Sequence, residues 1–167
     1  MVISEVISAT TSAVADDPGA GAARVTASGH LEGGDVRVAL RAGRHEVTVD
    51  EPAALGGEDA GASPVQHALI ALASCQAITY RFWATNLGIA LDDVEVDVEA
   101  DIDLRGFFGL EEAVRAGFGE VRVSVTPKGP ETAERYRELA EAVDAHCPVL
   151  DLFSNATPVR TRLAVEA

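Results

Sequence analysis

The chain has 167 residues, 47% of them apolar, and its 27 acidic and 13 basic side chains give a formal charge of −14. This length and apolar content predict a single folded domain with a sizeable core and exclude a wholly disordered chain. The negative charge argues against nucleic acid or an anionic membrane surface as a partner, because both attract basic patches. No secretory signal is recognisable, so the two cysteines are expected to be thiols in a reducing compartment, the cytoplasm.

The N-terminal part of the chain predicts a loose start followed by a small sheet. Residues 1–21 are rich in Ala, Ser and Gly and are expected to be a flexible segment, which leaves residues 22–167 as the domain. The alternation of residue types and the intervening Gly-containing turns predict an antiparallel meander of three strands. Its strands are predicted over residues 23–28, 35–41 and 45–50.

Residues 63–88 predict a buried helix around which the fold is organised. Ser63, Pro64 and Gln66 form a capping box with proline at the first helical position, and Gly88 is placed to end the helix. Residues 68–73 are apolar throughout, so the helix has no polar stripe and should be covered on every side. Its apolar run is too short to cross a membrane. One small sheet covers one side only, which predicts a homodimer in which two such helices pack together.

The second half of the chain predicts strands and an amphipathic helix. Strict alternation of apolar and acidic residues over 93–104 indicates a long strand with one wet face. A loop over 105–119 connects it to a hairpin partner at 120–125. A helix then begins at Pro130 and stops near His146, and a last strand is predicted over 159–165. The fold class is therefore α+β with antiparallel sheet.

The two cysteines, Cys75 and Cys147, are the candidate reactive groups. A cysteine in an Ala/Leu-rich helix is often an inert apolar residue, and this alternative stands for Cys75. Cys147 lies at a helix end before Pro148, where a thiol can be accessible. Together they suit a peroxidatic thiol that becomes a sulfenic acid and a resolving thiol that condenses with it.

A thiolate at Cys75 would need help from a cation outside its helix. The residue is in the third or fourth turn, too far from the N-terminus for the helix dipole to act, and apolar burial would raise its pKa. Arginine suits this role because it stays charged when it is desolvated. The candidates in the preceding strands are Arg24, Arg37, Arg41 and Arg44.

Two further groupings have both a functional and a structural interpretation. His67 and His146 would complete a Cys2His2 set with the thiols, but the short ligand spacings of zinc sites are missing, so no metal or cofactor is predicted. Five aromatic residues have two equally good interpretations: they line an apolar pocket for an alkyl peroxide, or they pack in the core. These are Phe82, Trp83, Phe107, Phe108 and Phe153.

Two stretches resemble the OsmC/Ohr family of peroxide-reducing proteins: DEPAALGGEDAGASPVQHALIALASC at 50–75 and HCPVLDLFSNATPV at 146–159. The resemblance extends from about residue 23 to residue 165. It implies an OsmC-like fold, with antiparallel sheets wrapped around a buried central helix in an intertwined homodimer. It also implies reduction of organic hydroperoxides in oxidative-stress defence, with electrons returned by a dithiol such as a lipoylated protein. Cys75 then corresponds to the peroxidatic thiol and Cys147 to the resolving thiol.

The chain departs from the family pattern at two places. The family peroxidases begin the helix with Asn-Pro-Glu, and the Glu holds the catalytic arginine; this chain has Val65 at that position. For the arginine, Arg44 is the first candidate and Arg37 the second. The alternative function is a non-catalytic OsmC-like protein that binds an apolar or electrophilic small molecule at the dimer interface. Two retained thiols favour the enzyme, and the missing Glu favours the binder.

Overall fold

A long helix, α2 (Pro64–Leu87), is the central element of the computed structural model, which describes residues 2–31 and 33–165. The Ser63 hydroxyl accepts a hydrogen bond from the Gln66 N–H at 3.4 Å, and the Gln66 side-chain oxygen accepts one from the Ser63 N–H at 2.8 Å. Gly88 ends the helix in the left-handed conformation, with φ of 64°. The predicted capping box and glycine stop are confirmed.

The other elements give the expected α+β architecture with two separate antiparallel sheets. The first sheet has the order β1-β2-β3 and the second pairs β4 with β5, from Asp93 opposite Lys128 to Asp101 opposite Glu120. In chain order the elements are α1 (Ile3–Asp16), β1 (Ser28–Leu31), β2 (Val38–Ala42), β3 (His45–Val49), α2, β4 (Asp93–Asp101), α3 (Leu104–Phe107), β5 (Glu120–Lys128), α4 (Ala133–His146) and α5 (Pro148–Ser154).

The N-terminal region differs from its prediction. Residues 3–16 form helix α1, which packs against α2, where we expected a loose segment. The domain boundary near residue 21 stays a prediction. The first strand lies at Ser28–Leu31 and not at residues 23–28, because these are the residues that pair with β2, with Leu31 opposite Val38 and Ser28 opposite Arg41. The meander itself is confirmed.

The loop from β3 to α2 is fixed by one buried carboxylate. Asp50 is 1% exposed and accepts hydrogen bonds from the backbone N–H groups of Glu51, Glu58 and Ala60 at 2.9–3.0 Å. The loop lies so close to the strand that a Cβ on Gly61 would be 2.3 Å from the carbonyl oxygen of Thr48. The chain therefore reaches the cap of α2 along a defined path.

The main core lies between α2, α4 and the second sheet. Its buried members include Leu139 and Val143 of α4, both 0% exposed, and Tyr80 of α2. β4 and β5 contribute the partly buried Val94 and Val125 to it, while the acidic side chains of β4 face outwards. The predicted hairpin with one wet face is confirmed.

Helix α2 is buried along one face only in the single chain. Leu72, Gln76, Thr79, Tyr80 and Ala84 form that face. On the opposite side Ile70, Ile78 and Phe82 are 53%, 59% and 41% exposed. The expectation that the helix is covered on every side is therefore not met within one chain.

The predicted last strand is wrong. Residues 156–165 carry no strand, and Val159, Leu163 and Val165 are 79–85% exposed. Alternating residues give only the propensity for a strand, and a strand also needs a neighbour with which to form hydrogen bonds. In the part of the chain that the structure describes, this segment has none.

Candidate thiol site

Cys147 is the residue at which two helices meet. Its N–H donates to the carbonyl oxygen of Val143 at 2.8 Å and ends α4, and its own carbonyl oxygen accepts from the N–H of Asp151 at 3.0 Å and begins α5. Pro148 occupies the first position of α5, where no N–H is required. The side chain points into the core and is 2% exposed.

Cys75 lies in the fourth turn of α2, at the margin between its buried and exposed faces. It is half-buried, and it packs against the core cluster that contains Cys147. The Cys75 thiol is close enough to the Cys147 thiol to raise its pKa, and no disulfide joins the two residues. The structure therefore brings together the two cysteines that the sequence analysis singled out.

The environment of Cys147 favours its protonated form. Burial raises the pKa of the Cys147 thiol above its ordinary value, and the adjacent Cys75 thiol adds to the rise. The backbone N–H of Leu150 and the hydroxyl of Thr79 act in the opposite direction, because they can donate hydrogen bonds to a thiolate. The net effect is a thiol that keeps its proton at neutral pH.

The sequence analysis missed two polar residues beside the thiols. Thr79 is one turn beyond Cys75, and its hydroxyl donates to the carbonyl oxygen of Cys75 at 2.7 Å. Gln76 is 2% exposed, and its side-chain oxygen has no hydrogen-bond partner among the described residues. Thr79 follows Cys75 by four residues, so it lies on the next turn of the same helical face. This i, i+4 spacing is the sequence signal that would have identified Thr79.

The structure does not bring either candidate arginine to the thiols. Arg44 lies in the two-residue turn between β2 and β3, exposed, and it makes no hydrogen bond or ion pair within residues 2–31 and 33–165. Arg37 forms an ion pair with Glu58, while its Nε is buried without a partner in the same described part of the chain. Among the described residues, neither Arg44 nor Arg37 makes a hydrogen bond or ion pair with Cys75.

The two histidines near the cysteines are held by backbone groups. Nδ1 of His67 contacts the carbonyl oxygen of Ser63 at 3.1 Å, and Nδ1 of His146 contacts that of Ala142 at 2.7 Å. The His146 ring also packs on Trp83, with centroids 4.2 Å apart. Among the described residues no group of three or more His, Cys, Asp or Glu side chains is placed to hold a metal ion.

The five aromatic residues do not line one common pocket. Phe107 and Phe108 form an edge-to-face pair, 65% and 56% exposed, on the loop after β4. Trp83 packs on His146, and Phe82 lies on the exposed face of α2. Of the five, Phe153 lines a cleft. Phe118, which the sequence analysis did not select, lines the same cleft.

Comparison with known proteins identifies the family. The family model described as OsmC-like protein matches residues 56–162, more than half of the chain. The chain therefore belongs to the OsmC-like protein family, as its sequence resemblance indicated. No curated protein matches the sequence. No helix among the described residues is long and apolar enough to cross a membrane.

Solved structures show the same fold at low sequence identity. An OsmC-like protein from Mycoplasma pneumoniae has a TM-score of 0.67 and 17% identity, over 78% of this chain and 87% of that one. The organic hydroperoxide resistance protein OsmC from Legionella pneumophila has 0.60 and 21%, over 79% and 90%. An organic hydroperoxide resistance protein from Elizabethkingia anophelis, with thiocyanate bound, has 0.61 and 20%, over 80% and 89%. At these identities the likeness shows a shared fold.

Proposed function

We propose that this protein is a thiol-dependent organic hydroperoxide reductase of oxidative-stress defence, with Cys75 as the peroxidatic and Cys147 as the resolving cysteine. The observation that carries the proposal is the packing of two free cysteines in one core cluster where α2 meets the junction of α4 and α5, close enough for Cys75 to raise the pKa of the Cys147 thiol. Two structural relatives named as organic hydroperoxide resistance proteins support the substrate class. The reaction needs both thiols to start reduced, as they would be in the cytoplasm.

The reaction proceeds in two thiol steps. The Cys75 thiolate attacks the distal oxygen of the hydroperoxide, the O–O bond breaks, and the alkoxide leaves as the alcohol after it takes a proton. Cys75 is then a sulfenic acid. The Cys147 sulfur attacks the Cys75 sulfur, its proton and the hydroxyl group leave as water, and a disulfide forms. Two electrons from an external dithiol, for which a lipoylated protein is our candidate, restore both thiols.

The order of the two cysteines follows from their exposure. Cys75 is the more accessible thiol and is at the margin of the open face of α2. Cys147 is almost fully buried, and burial raises the pKa of its thiol, so it is a poor first nucleophile for a peroxide from solvent. It is well placed for the second step, because its target is an adjacent sulfur.

The missing cation is the reason to propose that the active form is an intertwined homodimer. The open face of α2 carries Ile78 and Phe82, at i+3 and i+7 from Cys75, so a chain that covers this face also reaches Cys75. The first sheet carries Arg44 and Arg37 and makes few contacts with α2 of its own chain. We propose that the sheet of one subunit supplies the arginine, Arg44 first, to the thiol site of the other.

The test is to count free thiols in the reduced protein before and after one equivalent of cumene hydroperoxide, with hydrogen peroxide in parallel. The expected result is rapid loss of both thiols with cumene hydroperoxide. Cys75→Ser should lose none, and Cys147→Ser should stop at a sulfenic acid that a dimedone-type reagent traps. Thiols that remain reduced for minutes in the wild-type protein would overturn the proposal.

A second candidate is a non-catalytic binder at the dimer interface. Val65 favours it: this residue is 39% exposed at the start of α2, where the family peroxidases have a carboxylate to hold the arginine. A binder does not need a Cys75 thiolate near neutral pH. The rate of Cys75 alkylation as a function of pH therefore separates the two functions, since only the enzyme requires a reactive thiolate at pH 7.

A further inference from the structure

A cleft of about 430 Å³ lies between Leu72 of α2, the first residues of β5 and helix α5. The end of the loop before β5, the first residues of β5 and helix α5 form its walls. Its apolar lining includes Leu72 of α2, Leu150 of α5 and the rings of Phe118 and Phe153, which are 6.4 Å apart and inclined by 17°. This volume and lining suit a small organic molecule.

One guanidinium group at this cleft has no partner. Arg115 lines the cleft, and its side chain lies along Gly117: a Cβ at Gly117 would be 3.5 Å from Nη2 of Arg115. Arg115 makes no ion pair or hydrogen bond through its side chain in the described ranges 2–31 and 33–165. Arg115 is exposed, so its guanidinium group is accessible to a ligand in the cleft.

The carboxylate that lines the cleft is already engaged by another arginine. Glu120 also lines the cleft, but its side chain accepts a hydrogen bond from Nη1 of Arg122 at 2.7 Å. Arg122 in turn contacts Glu99 and Asp101 across the sheet. Glu120 is therefore engaged by Arg122, and no ion pair joins it to Arg115 among the described residues.

We propose that this cleft binds an amphipathic monocarboxylate, with its apolar body between Phe118 and Leu150 and its carboxylate on Arg115. A guanidinium binds a carboxylate through two parallel N–H donors, and the apolar lining accounts for the rest of the molecule. One unpaired cation matches one negative charge. A dianion such as a phosphate monoester would bring a second charge into a chain whose net charge is −14.

The cleft adjoins the thiol pair without including it. Leu72 precedes Cys75 by one helical turn, and Leu150 lines the cleft while its N–H contacts the Cys147 thiol. An occupant would thus pack against the residues that hold both cysteines. The binding itself requires no thiol chemistry, so this proposal does not depend on the proposed function.

The test is a titration of the 15N-labelled full chain with octanoate, and with 1-octanol as the neutral ligand of the same length. Octanoate should shift the amide signals of Gly117 and Gly119 and bind about 10-fold more tightly than 1-octanol. Arg115→Gln should weaken octanoate binding about 10-fold and leave 1-octanol unchanged. The matched control is Arg160→Gln, since Arg160 is also unpaired but lies in the exposed C-terminal segment.

Three results would overturn the proposal. These are equal affinity for octanoate and 1-octanol, octanoate binding that survives Arg115→Gln, and shifts confined to residues outside the cleft. Cys75→Ser and Cys147→Ser should bind octanoate like the wild type. Failure of the peroxide reaction and failure of carboxylate binding are then separate outcomes.

Discussion

The hydroxyl of Thr79 lies between the backbone of Cys75 and the thiol of Cys147. It donates to the Cys75 carbonyl oxygen at 2.7 Å, and it contacts the Cys147 thiol, whose pKa it lowers against the larger effect of burial. A hydroxyl can turn from the carbonyl oxygen to a thiolate when Cys147 loses its proton. In the two-thiol reaction that we propose, Thr79 would position Cys147 for the resolving step.

Replacement of Thr79 by valine should slow the second thiol step and leave the first unchanged. Valine keeps the shape of threonine but removes the donor, so the pKa of Cys147 rises further and less thiolate is present at neutral pH. Loss of one hydrogen bond of ordinary strength corresponds to about a fivefold slower step. Stopped-flow thiol quantification after a single equivalent of peroxide measures both steps.

The matched control is Thr79→Ser, which retains the hydroxyl and should behave like the wild type. Titration of the Cys147 thiolate by ultraviolet absorbance, in a Cys75→Ser background, gives an independent readout. The thiolate should form at higher pH with valine than with serine at position 79. Identical titrations would show that Thr79 has only a packing role.

Arg44→Ala should lower the rate of the first thiol step by about 100-fold, if this arginine stabilises the leaving oxygen and the thiolate across the dimer interface. Arg37→Ala should have a smaller effect, because Arg37 is already paired with Glu58. The measurement is the rate of Cys75 oxidation by cumene hydroperoxide.

Arg160→Ala is the control, because it removes one positive charge from the exposed C-terminal segment. It should leave the rate of Cys75 oxidation unchanged. A larger loss for Arg37 than for Arg44 would reverse our assignment of the arginine. Unchanged rates in both variants would remove the first sheet from the site.

Ile78→Glu should dissociate the homodimer that we propose into monomers. Ile78 is 59% exposed in the single chain and lies on the apolar face of α2 that we propose to be the interface. Burial of an unpaired carboxylate at such an interface costs more than most dimers can tolerate. Sedimentation velocity of the purified protein gives the mass directly.

A suitable control is Ala133→Glu, which adds the same charge at an exposed position at the start of α4. It should remain dimeric. A wild-type protein that sediments as a monomer at micromolar concentration would refute the intertwined dimer, and with it the supply of an arginine from a second chain.

Asp50→Asn should lower the melting temperature by several degrees at pH 7 and progressively less at low pH. The hydrogen bond from the Ala60 N–H lowers the pKa of Asp50 most, those from Glu51 and Glu58 add to it, and Arg37 contributes, while burial opposes them. Because the folded-state pKa of Asp50 is below its unfolded-state pKa, this stabilisation is fully present only well above the unfolded-state pKa and is lost as pH falls through the folded-state pKa.

The control for Asp50 is Asp97→Asn on the exposed face of β4. It should change the melting temperature little at any pH. If Asp50→Asn destabilised the protein equally at pH 7 and at pH 2, the effect would come from lost packing rather than from the carboxylate charge.

The sequence predicted those elements whose signals are local. The ends of α2 follow from Ser63, Gln66 and Gly88, and the β4 strand follows from its strict alternation. Helix α1 was missed because its Ser- and Thr-rich sequence has weak helix propensity, and its packing on α2 is a tertiary contact. The 159–165 strand was predicted wrongly because a strand depends on a neighbour that no local pattern specifies.

The same distinction holds for the thiol site. Cys75 and Cys147 were found because they are the only two cysteines in the sequence, one in the apolar helix and the other at a helix end before Pro148. Thr79 was missed because threonine is common in helices. Its proximity to the Cys147 thiol depends on how the junction of α4 and α5 packs against α2, which the local sequence does not indicate. Arg115, which we propose as a ligand contact in the neighbouring cleft, lies in a loop, where residue spacing does not indicate what a side chain faces.

The backbone of Cys147 belongs to two helices, because its N–H makes the last hydrogen bond of α4 and its carbonyl oxygen accepts the first hydrogen bond of α5. A change at the Cys147 sulfur therefore affects both helices. A disulfide to Cys75 would pull on this shared residue, and neither helix could relax without the other. The N–H groups of Cys147 and Asp151 make the two hydrogen bonds at this junction, so both should respond to oxidation of the Cys147 thiol. Their hydrogen-exchange rates should change together on oxidation, which makes the redox state of a buried thiol readable without any thiol reagent.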